Sequence, residues 1–573
     1  MFGSRLSTLA PALAQLLRYR RQDLGGDVVA GITVAVMYVP QGMAYAILAG
    51  LPPVVGLYAA TIPLLVYGLL GSSPQLAVGP VAVVSLMVYT ACSGLAEPGS
   101  PEYIGLAALL ALFVGVIMLA MGLVRLGFIV RFMSHAVISG FTSAAAILIG
   151  LSQLPPLLGV KLEGGHSGLK LIGALVPVLA DANLPTVALG AASVVLLVVL
   201  ARWLPKIPGG LLVVVGCTVA TWYLGLHEAG VRIVGEVPLG LPPFALPALD
   251  AGAAQSLAPA AFTIAFVGFM ESIAVAKYLA AKERTKVEPD AELRALGAAN
   301  LAAGVFSGYP VTGGLSRTAV NYRAGARTSL ASLISASFVL LTLAFLTPAF
   351  HYLPSAALAA IIIVAVAGMV DIQDAVRLFR IKSRDGWVLL ATFAVTLGVG
   401  IEQGILAGIV LSLLFYIWQS SRPHTAELGY LAGRRAFLNV GRYPEAVRFE
   451  DVIILRVDSS LYFANMEFVG DILRRRIASR PDVRWVVLDF SGVNDMDAVA
   501  VLELEEIMEG YGEHGVRFLL ARVKGPVRDV LDRAGWYQRR GGNIEYPNIS
   551  SALKAVGSLR PLRGSVPEEN LDE

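Results

Sequence analysis

A helix that crosses a bilayer needs about 20 mainly apolar residues, because roughly 30 Å of hydrocarbon is climbed at about 1.5 Å per residue. Between Asp27 and Ser420 this chain offers such stretches one after another. Apolar segments fall near 28–46, 54–71, 76–93, 104–123, 132–153, 184–201 and 209–226. A second series falls near 257–280, 291–307, 312–322, 328–347, 355–370, 387–400 and 402–420. Turn-forming clusters punctuate them, among them Pro52-Pro53, Gly71-Ser72-Ser73-Pro74 and Glu97-Pro98-Gly99-Ser100-Pro101. In lipid every backbone polar group must be satisfied within the chain, so such a sequence is expected to fold as a bundle of spanning helices.

Charge follows the same division. Of the 85 Asp, Glu, Lys and Arg residues, 41 lie in residues 1–420 and 44 in the last 153. The whole chain is 56% hydrophobic and 15% charged, with a mean hydropathy of +0.70, which excludes an ordinary soluble enzyme. Lys and Arg stay on the cytoplasmic side during insertion. If the N-terminus is cytoplasmic, nineteen of them fall on that side, including Arg5, Arg18, Arg131, Lys206, Lys277, Arg323 and Arg377. Only Lys161, Lys170 and Arg232 fall on the other. Both termini are therefore expected in the cytoplasm, with the protein in the inner (plasma) membrane of the cell. Residues 1–26 read as a cytoplasmic segment, with Leu6–Leu17 as a surface helix rather than a signal peptide.

Other partners find little support. A net charge of +3 is too small to imply nucleic acid. Cys92 and Cys217 lie in apolar segments and read as small packing residues. Without H-E-x-x-H, C-x-x-C or a phosphate-binding loop, no metal, cofactor or nucleotide-driven pump is expected.

Two segments interrupt the spans at equivalent places, third in each set of seven. One reads Gln75-Leu76-Ala77-Val78-Gly79-Pro80-Val81-Ala82, an extended run followed by Gly79 and then Pro80, which suits the first turn of a helix. The other reads Tyr309-Pro310-Val311-Thr312-Gly313-Gly314-Leu315-Ser316-Arg317, again with Pro and paired Gly before a short helix. Transporters use interrupted helices in corresponding positions of two repeats to build a site near the midplane. Each such helix starts inside the bilayer with unpaired N–H groups and a positive dipole end, so two opposed starts form an anion site. Arg317 adds a full charge and Ser316 a hydroxyl donor. The plainer alternative is that Gly and Pro only allow close helix packing, and that Arg317 snorkels to the interface. An ionisable residue inside a span favours the functional reading.

Glu271 lies about halfway along the eighth segment, in Val267-Gly268-Phe269-Met270-Glu271-Ser272-Ile273. Burial favours the neutral carboxyl and a nearby Arg favours the anion, so its protonation can follow occupancy of the site. A dianion near Arg317 would compete for that positive charge and favour protonated Glu271, a route to proton and anion co-transport. A structural Glu271–Arg317 ion pair is the alternative.

The run Val39-Pro40-Gln41-Gly42-Met43-Ala44-Tyr45-Ala46, with Leu51-Pro52-Pro53-Val54-Val55-Gly56-Leu57-Tyr58 after it, resembles the opening signature of the sulfate permease (SulP) anion transporters. Gln75 to Ser85, Glu271-Ser272 and Leu315-Ser316-Arg317-Thr318-Ala319-Val320-Asn321 match further blocks in the same order. The resemblance implies an α-helical polytopic membrane protein with about 14 segments in a 7+7 inverted repeat (27–226 and 257–420), divided into a core and a gate, and usually dimeric. It also implies an anion pocket lined by Gln41, Tyr45, the backbone at Val81, Ser316 and Arg317. From the residues themselves, the half-helix breaks are expected at Gly79, Pro80, Gly313 and Gly314, and Glu271 is the candidate proton-coupling group. The blocks around Glu271 and Tyr309 are closest to plant-type proton-coupled sulfate transporters. Sodium-driven bicarbonate members often carry Asp and hydroxyls where this chain has Glu271 and Ile273-Ala274-Val275.

After a linker at 421–440 the chain changes character. Strands are predicted at 452–457, 485–490 and 516–521, with amphipathic helices near 464–478, 497–512 and 525–534, giving a small α/β domain over 441–556. It resembles the sulfate-transporter and anti-sigma-antagonist (STAS) domain that follows the membrane part in this family. Where related signalling domains carry a phosphorylatable Ser after Asp, this chain has Asp497-Ala498-Val499, so a structural or dimerising role is expected. Residues 557–573 are expected to be a flexible tail, acidic from Pro567 to Glu573. The expected function is proton-coupled sulfate symport. Bicarbonate or dicarboxylate transport or exchange, an anion channel, and a membrane scaffold signalling through its tail are the alternatives.

Overall fold

The protein, seen as a computed structural model, is described over residues 10–128, 134–160, 173–174, 176–177, 179–204, 209–248, 250–540 and 544–557. Arg5, Arg131, Lys161, Lys170 and Lys206 of the charge count, and the tail beyond Gly557, lie outside the described residues. Two units divide at Ser412 and Leu413.

All fourteen apolar segments overlap helices among the described residues, the last of them running from the first unit into the second. After a short helix α1 (Pro11–Leu16), the first repeat holds α2 (Leu24–Leu48), α3 (Pro53–Ala59), α4 (Ile62–Leu70), strand β1 (Val78–Gly79), α5 (Ala82–Cys92), α6 (Pro101–Leu123), α7 (His135–Ser152), α8 (Leu184–Trp203) and α9 (Gly209–Tyr223). The second holds α10 (Ala251–Glu283), α11 (Pro289–Val305), β2 (Thr312–Gly313), α12 (Leu315–Arg323), α13 (Leu330–Phe345), α14 (Ser355–Ala367), the amphipathic α15 (Ile372–Ile381), α16 (Ser383–Gly398) and α17 (Ile401–Ser420). Eight described helical stretches, two of them the consecutive pairs α3–α4 and α14–α15, are long and apolar enough to cross a membrane, and α5, α9 and α13 are shorter apolar helices.

The second segment differs from the expected single helix. It breaks at buried Thr61 (φ −112°, ψ −84°), two residues before Pro63. Pro63 has no N–H to give to the carbonyl of Ala59 and its ring crowds that carbonyl, while it is well suited to the first turn of a helix, so α4 starts afresh here.

Small residues set the packing. On α6, Gly115 and Gly122 face Gly297 and Arg294 of α11. A Cβ at Gly115 would lie 2.7 Å from Leu301 N, and one at Gly297 would lie 2.7 Å from Leu119 N. These two helices therefore touch backbone to backbone, the arrangement that small residues permit between spanning helices. Exposed apolar side chains run along α8 and α9, including Val195, Val199, Val219 and Trp222, as suits surfaces that face hydrocarbon.

Among the described residues of the first unit, Asp27 and Glu292 are fully buried carboxylates. Asp27 Oδ1 accepts from Arg327 N (2.7 Å) and Thr328 N (3.0 Å), and Oδ2 accepts from Thr328 Oγ1 (2.6 Å). Glu292 accepts from Ser72 N (2.8 Å), Ser72 Oγ (2.6 Å), Ser73 N (2.9 Å) and Tyr67 Oη (2.8 Å). The sequence reading singled out neither Asp27 nor Glu292. Both added carboxylates tie down turns between segments, and that hydrogen bonding is what allows their burial.

The second unit is a six-stranded mixed sheet in the order β4-β3-β5-β6-β7-β8. Its strands are β3 (Thr425–Leu431), β4 (Ala436–Asn439), β5 (Val452–Val457), β6 (Trp485–Asp489), β7 (Arg517–Ala521) and β8 (Glu545–Tyr546). From β5 to β8 the pairing is parallel, with helices α18 (Met466–Ala478) and α19 (Ala498–Gly512) as crossovers. β3 pairs antiparallel with β5 through Thr425↔Val457, so the stretch read as a linker carries two strands of the sheet. Asp497 caps α19, accepting from Ala500 N at 2.7 Å.

Candidate functional site

The two interrupted segments meet. β1 and β2 pair antiparallel, Val78 opposite Gly313 and Gly79 opposite Thr312, and Gly314 N donates to Ala77 O at 3.0 Å. Side chains of α12 extend the tie: Ala77 N donates to Thr318 Oγ1 (3.0 Å), and Asn321 Nδ2 donates to Gln75 O (2.8 Å). From the other side, Gly313 N donates to Ser272 Oγ (2.8 Å) on α10, and Val311 N donates to Asn300 Oδ1 (2.8 Å) on α11. Backbone that would otherwise be unsatisfied at membrane depth is thus paired, which is the condition for irregular chain there.

Immediately after the strands, α5 starts from extended Val81 (φ −133°, ψ 150°) and α12 from Gly314 (φ −88°, ψ 124°). Neither start has a side-chain cap. The first N–H groups of a helix have no partner within it, so these two starts bring uncapped donors and positive dipole ends together.

Arg317 projects from the first turn of α12 and is 1% exposed. Its guanidinium stacks on the Tyr38 ring, with Cζ 4.6 Å from the centroid. Nε and Nη2 have no hydrogen-bond partner. A Cβ on Gly79 would come 2.7 Å from Tyr38 Cε1, and one on Gly314 would come 2.9 Å from Arg317 Nη2. Gly79 and Gly314 therefore make room for the ring and the guanidinium, and Gly313 makes room for Leu76, 2.7 Å from where its Cβ would lie. Pro80, the remaining break residue, is buried between β1 and α5.

Gln41 and Tyr45, four residues apart on α2, share a face of the helix and are both buried. Gln41 Oε1 has no partner, and turning the amide over would put the Nε2 donor there. Glu271 is partly exposed, and Ser316 is exposed. Val81 is 6% exposed. All the residues singled out from the sequence thus lie on α2, the β1–α5 and β2–α12 breaks, or α10.

Sequence reasoning did not select Tyr38, Ser85 or Tyr309. Tyr38 donates to Val78 O at 2.8 Å, and Ser85 Oγ lies 3.1 Å from Tyr309 Oη. The signal for Tyr38 was its spacing: positions 38, 41 and 45 fall on one face of a helix. Among the described residues no group of three or more His, Cys, Asp or Glu comes together as a metal site.

Residues 24–392 match the sulfate permease family, and residues 443–540 match the STAS domain. The chain is 38% identical to sulfate transporter 4.1, chloroplastic, of Arabidopsis thaliana, over 96% of this chain and 82% of that one. It is 34% identical to a probable sulfate transporter of Mycobacterium tuberculosis, over 95% and 98%. Its fold is similar to that of the murine solute carrier 26 family member A9 anion transporter in the inward-facing state, with a TM-score of 0.88 and 26% identity over 97% of this chain and 95% of that one. The transmembrane domain of a cyanobacterial bicarbonate transporter aligns over 69% of this chain and 98% of its own, with a TM-score of 0.61 and 25% identity.

Proposed function

The chain belongs to the sulfate permease family, and on that premise we propose that it is a secondary transporter that carries sulfate with protons by alternating access. One observation supports the choice of pocket above the others. Arg317 is almost fully buried, yet Nε and Nη2, which form one planar donor edge of the guanidinium, are unpartnered. Leaving a buried donor unsatisfied costs about 1–3 kcal/mol, more when the group is charged. An oxyanion presents two oxygens to such an edge and forms the bidentate, charge-assisted pair that removes this cost. The uncapped starts of α5 and α12 would supply further N–H donors. In this proposal Gln41, Tyr45, the Val81 backbone and Ser316 complete the pocket, with Gly79, Pro80, Gly313 and Gly314 forming the breaks.

Glu271 is the proton carrier in the same proposal. An anion seated on Arg317 screens the charge that favours its ionised form, so proton uptake and anion uptake assist each other. The core that holds both breaks would then move against the surrounding gate helices. We propose a homodimer in the cell membrane with both termini cytoplasmic, a sidedness supported by the nineteen-to-three division of basic residues. The chloroplast in the Arabidopsis relative's name belongs to that protein. The STAS unit takes a structural or dimerising role, with Asp497 engaged as a helix cap.

Counterflow of labelled sulfate in proteoliposomes tests this reading. Uptake is expected to rise with an inward proton gradient and to be lost in Arg317→Ala. A folded Arg317→Ala protein with intact uptake would refute the pocket. Stronger competition by bicarbonate or a dicarboxylate would reassign the cargo. Current without proton movement would mean a channel, and absence of any anion flux a scaffold.

A further inference from the structure

A buried arginine is ordinarily compensated by a carboxylate. Here it lies on an aromatic face. Tyr38 is 0% exposed, its ring sits under the Arg317 guanidinium at 4.6 Å, and its hydroxyl is anchored to Val78 O at 2.8 Å. The two compensations differ in what they leave behind. A carboxylate would cancel the positive charge and occupy the donor edge that an anion needs. A ring face attracts the cation through its quadrupole, consumes no N–H and leaves the net charge in place.

We propose that Tyr38 is a positioning residue for anion binding, which holds Arg317 in the bilayer without neutralising it and so keeps the Nε–Nη2 edge available. This rests on the reading that Arg317 receives the anion. The hydroxyl anchor adds a second feature. Val78 belongs to the first interrupted segment and Arg317 to the second, so Tyr38 on α2 braces the charge of one repeat against the strand of the other. Gly79 and Gly314 fit the same account, since a side chain on either would push into the ring or the guanidinium.

The distinguishing prediction concerns electron density in the ring rather than its volume. Replacing position 38 with Phe, and then with mono-, di- and trifluorinated phenylalanine, keeps the shape and weakens the quadrupole stepwise. Tyr38→Phe should keep the sulfate KM within about threefold, whereas Tyr38→Leu should raise it roughly tenfold or more with Vmax little changed, as expected for a desolvated cation–π contact. Across the fluorinated series log KM should climb with each fluorine. Purified variants are compared by thermal melting, and the shape-conserving series keeps the test valid if Tyr38→Leu fails to fold. A flat KM across that series, or a folded Tyr38→Leu protein with the parent KM, would overturn the proposal. The parallel Arg317→Ala measurement separates the two levels. If it loses sulfate binding while the fluorinated series is flat, only the role of Tyr38 fails; if it binds sulfate normally, the pocket itself is wrong.

Discussion

Arg317→Lys separates charge from geometry. The ammonium keeps the unit charge at the start of α12 but loses the planar fork of Nε and Nη2, the pair left without partners in the protein. Of two charge-assisted bonds to an oxyanion, lysine can restore one. Hydrogen bonds to charged groups are worth about 1.5–3 kcal/mol each, so the loss of one weakens sulfate binding roughly ten- to hundredfold. Lysine also lacks the flat cation that lies on the Tyr38 ring, which places the outcome toward the upper part of that range. The assay is equilibrium binding of labelled sulfate to purified protein, paired with the KM for uptake in proteoliposomes. Both should rise together while melting stays near that of the parent. A KM within about twofold of the parent would refute the reasoning, because point charge alone would then suffice.

Other outcomes follow from the same geometry. Glu271→Gln should retain sulfate counterflow while losing the stimulation of uptake by an inward proton gradient; unchanged stimulation would remove Glu271 from the coupling. Gly297→Leu should destabilise the protein by about 3 kcal/mol or abolish folding, since even a Cβ there would lie 2.7 Å from Leu119 N, and thermal melting reads this directly. Glu292→Gln should cost about 2–4 kcal/mol through weakened bonds from Ser72, Ser73 and Tyr67, again seen as a lowered melting temperature. In the second unit, partial burial pushes the Asp458 carboxyl up, but hydrogen bonds from Arg456 and His424 outweigh it and hold the group below its ordinary value of 3.8. A lowered folded value means that the contribution is fully present above the ordinary value and disappears as the pH falls through the folded one. Asp458→Asn should therefore flatten the loss of stability below about pH 4, measured by denaturant unfolding of that unit across pH.

The length rule made the fourteen segments legible, because hydrocarbon thickness fixes how many apolar residues a helix must contain. Gly79-Pro80 and Gly313-Gly314 were legible as breaks because these residues act through the backbone. The division at Thr61 was written only in Pro63, inside an otherwise unbroken apolar run. Asp27 and Glu292 could not be recognised as buried, since a one-dimensional reading takes a carboxylate near a segment end as solvated. What removes them from water are turns at 327–328 and 72–73, more than two hundred residues away in sequence. Tyr38 presented its spacing but not its partner. The stretch 425–439 looked like a connection because Glu427 and Gly429 interrupt the apolar pattern of β3, and β4 is short and only half-buried.

The antiparallel pairing of Val78 and Gly79 with Thr312 and Gly313 is made of peptide groups, which every amino acid carries. That pairing consequently uses none of the side chains at positions 41, 45 and 316. In the proposed pocket, substitutions at positions 41, 45 and 316 would reshape the lining for an ion of another size or charge while that pairing, the frame beneath, stays as it was. A change of cargo is then a matter of a few side chains, open to gradual exploration by a lineage, whereas a change to either glycine of the frame would be felt at once.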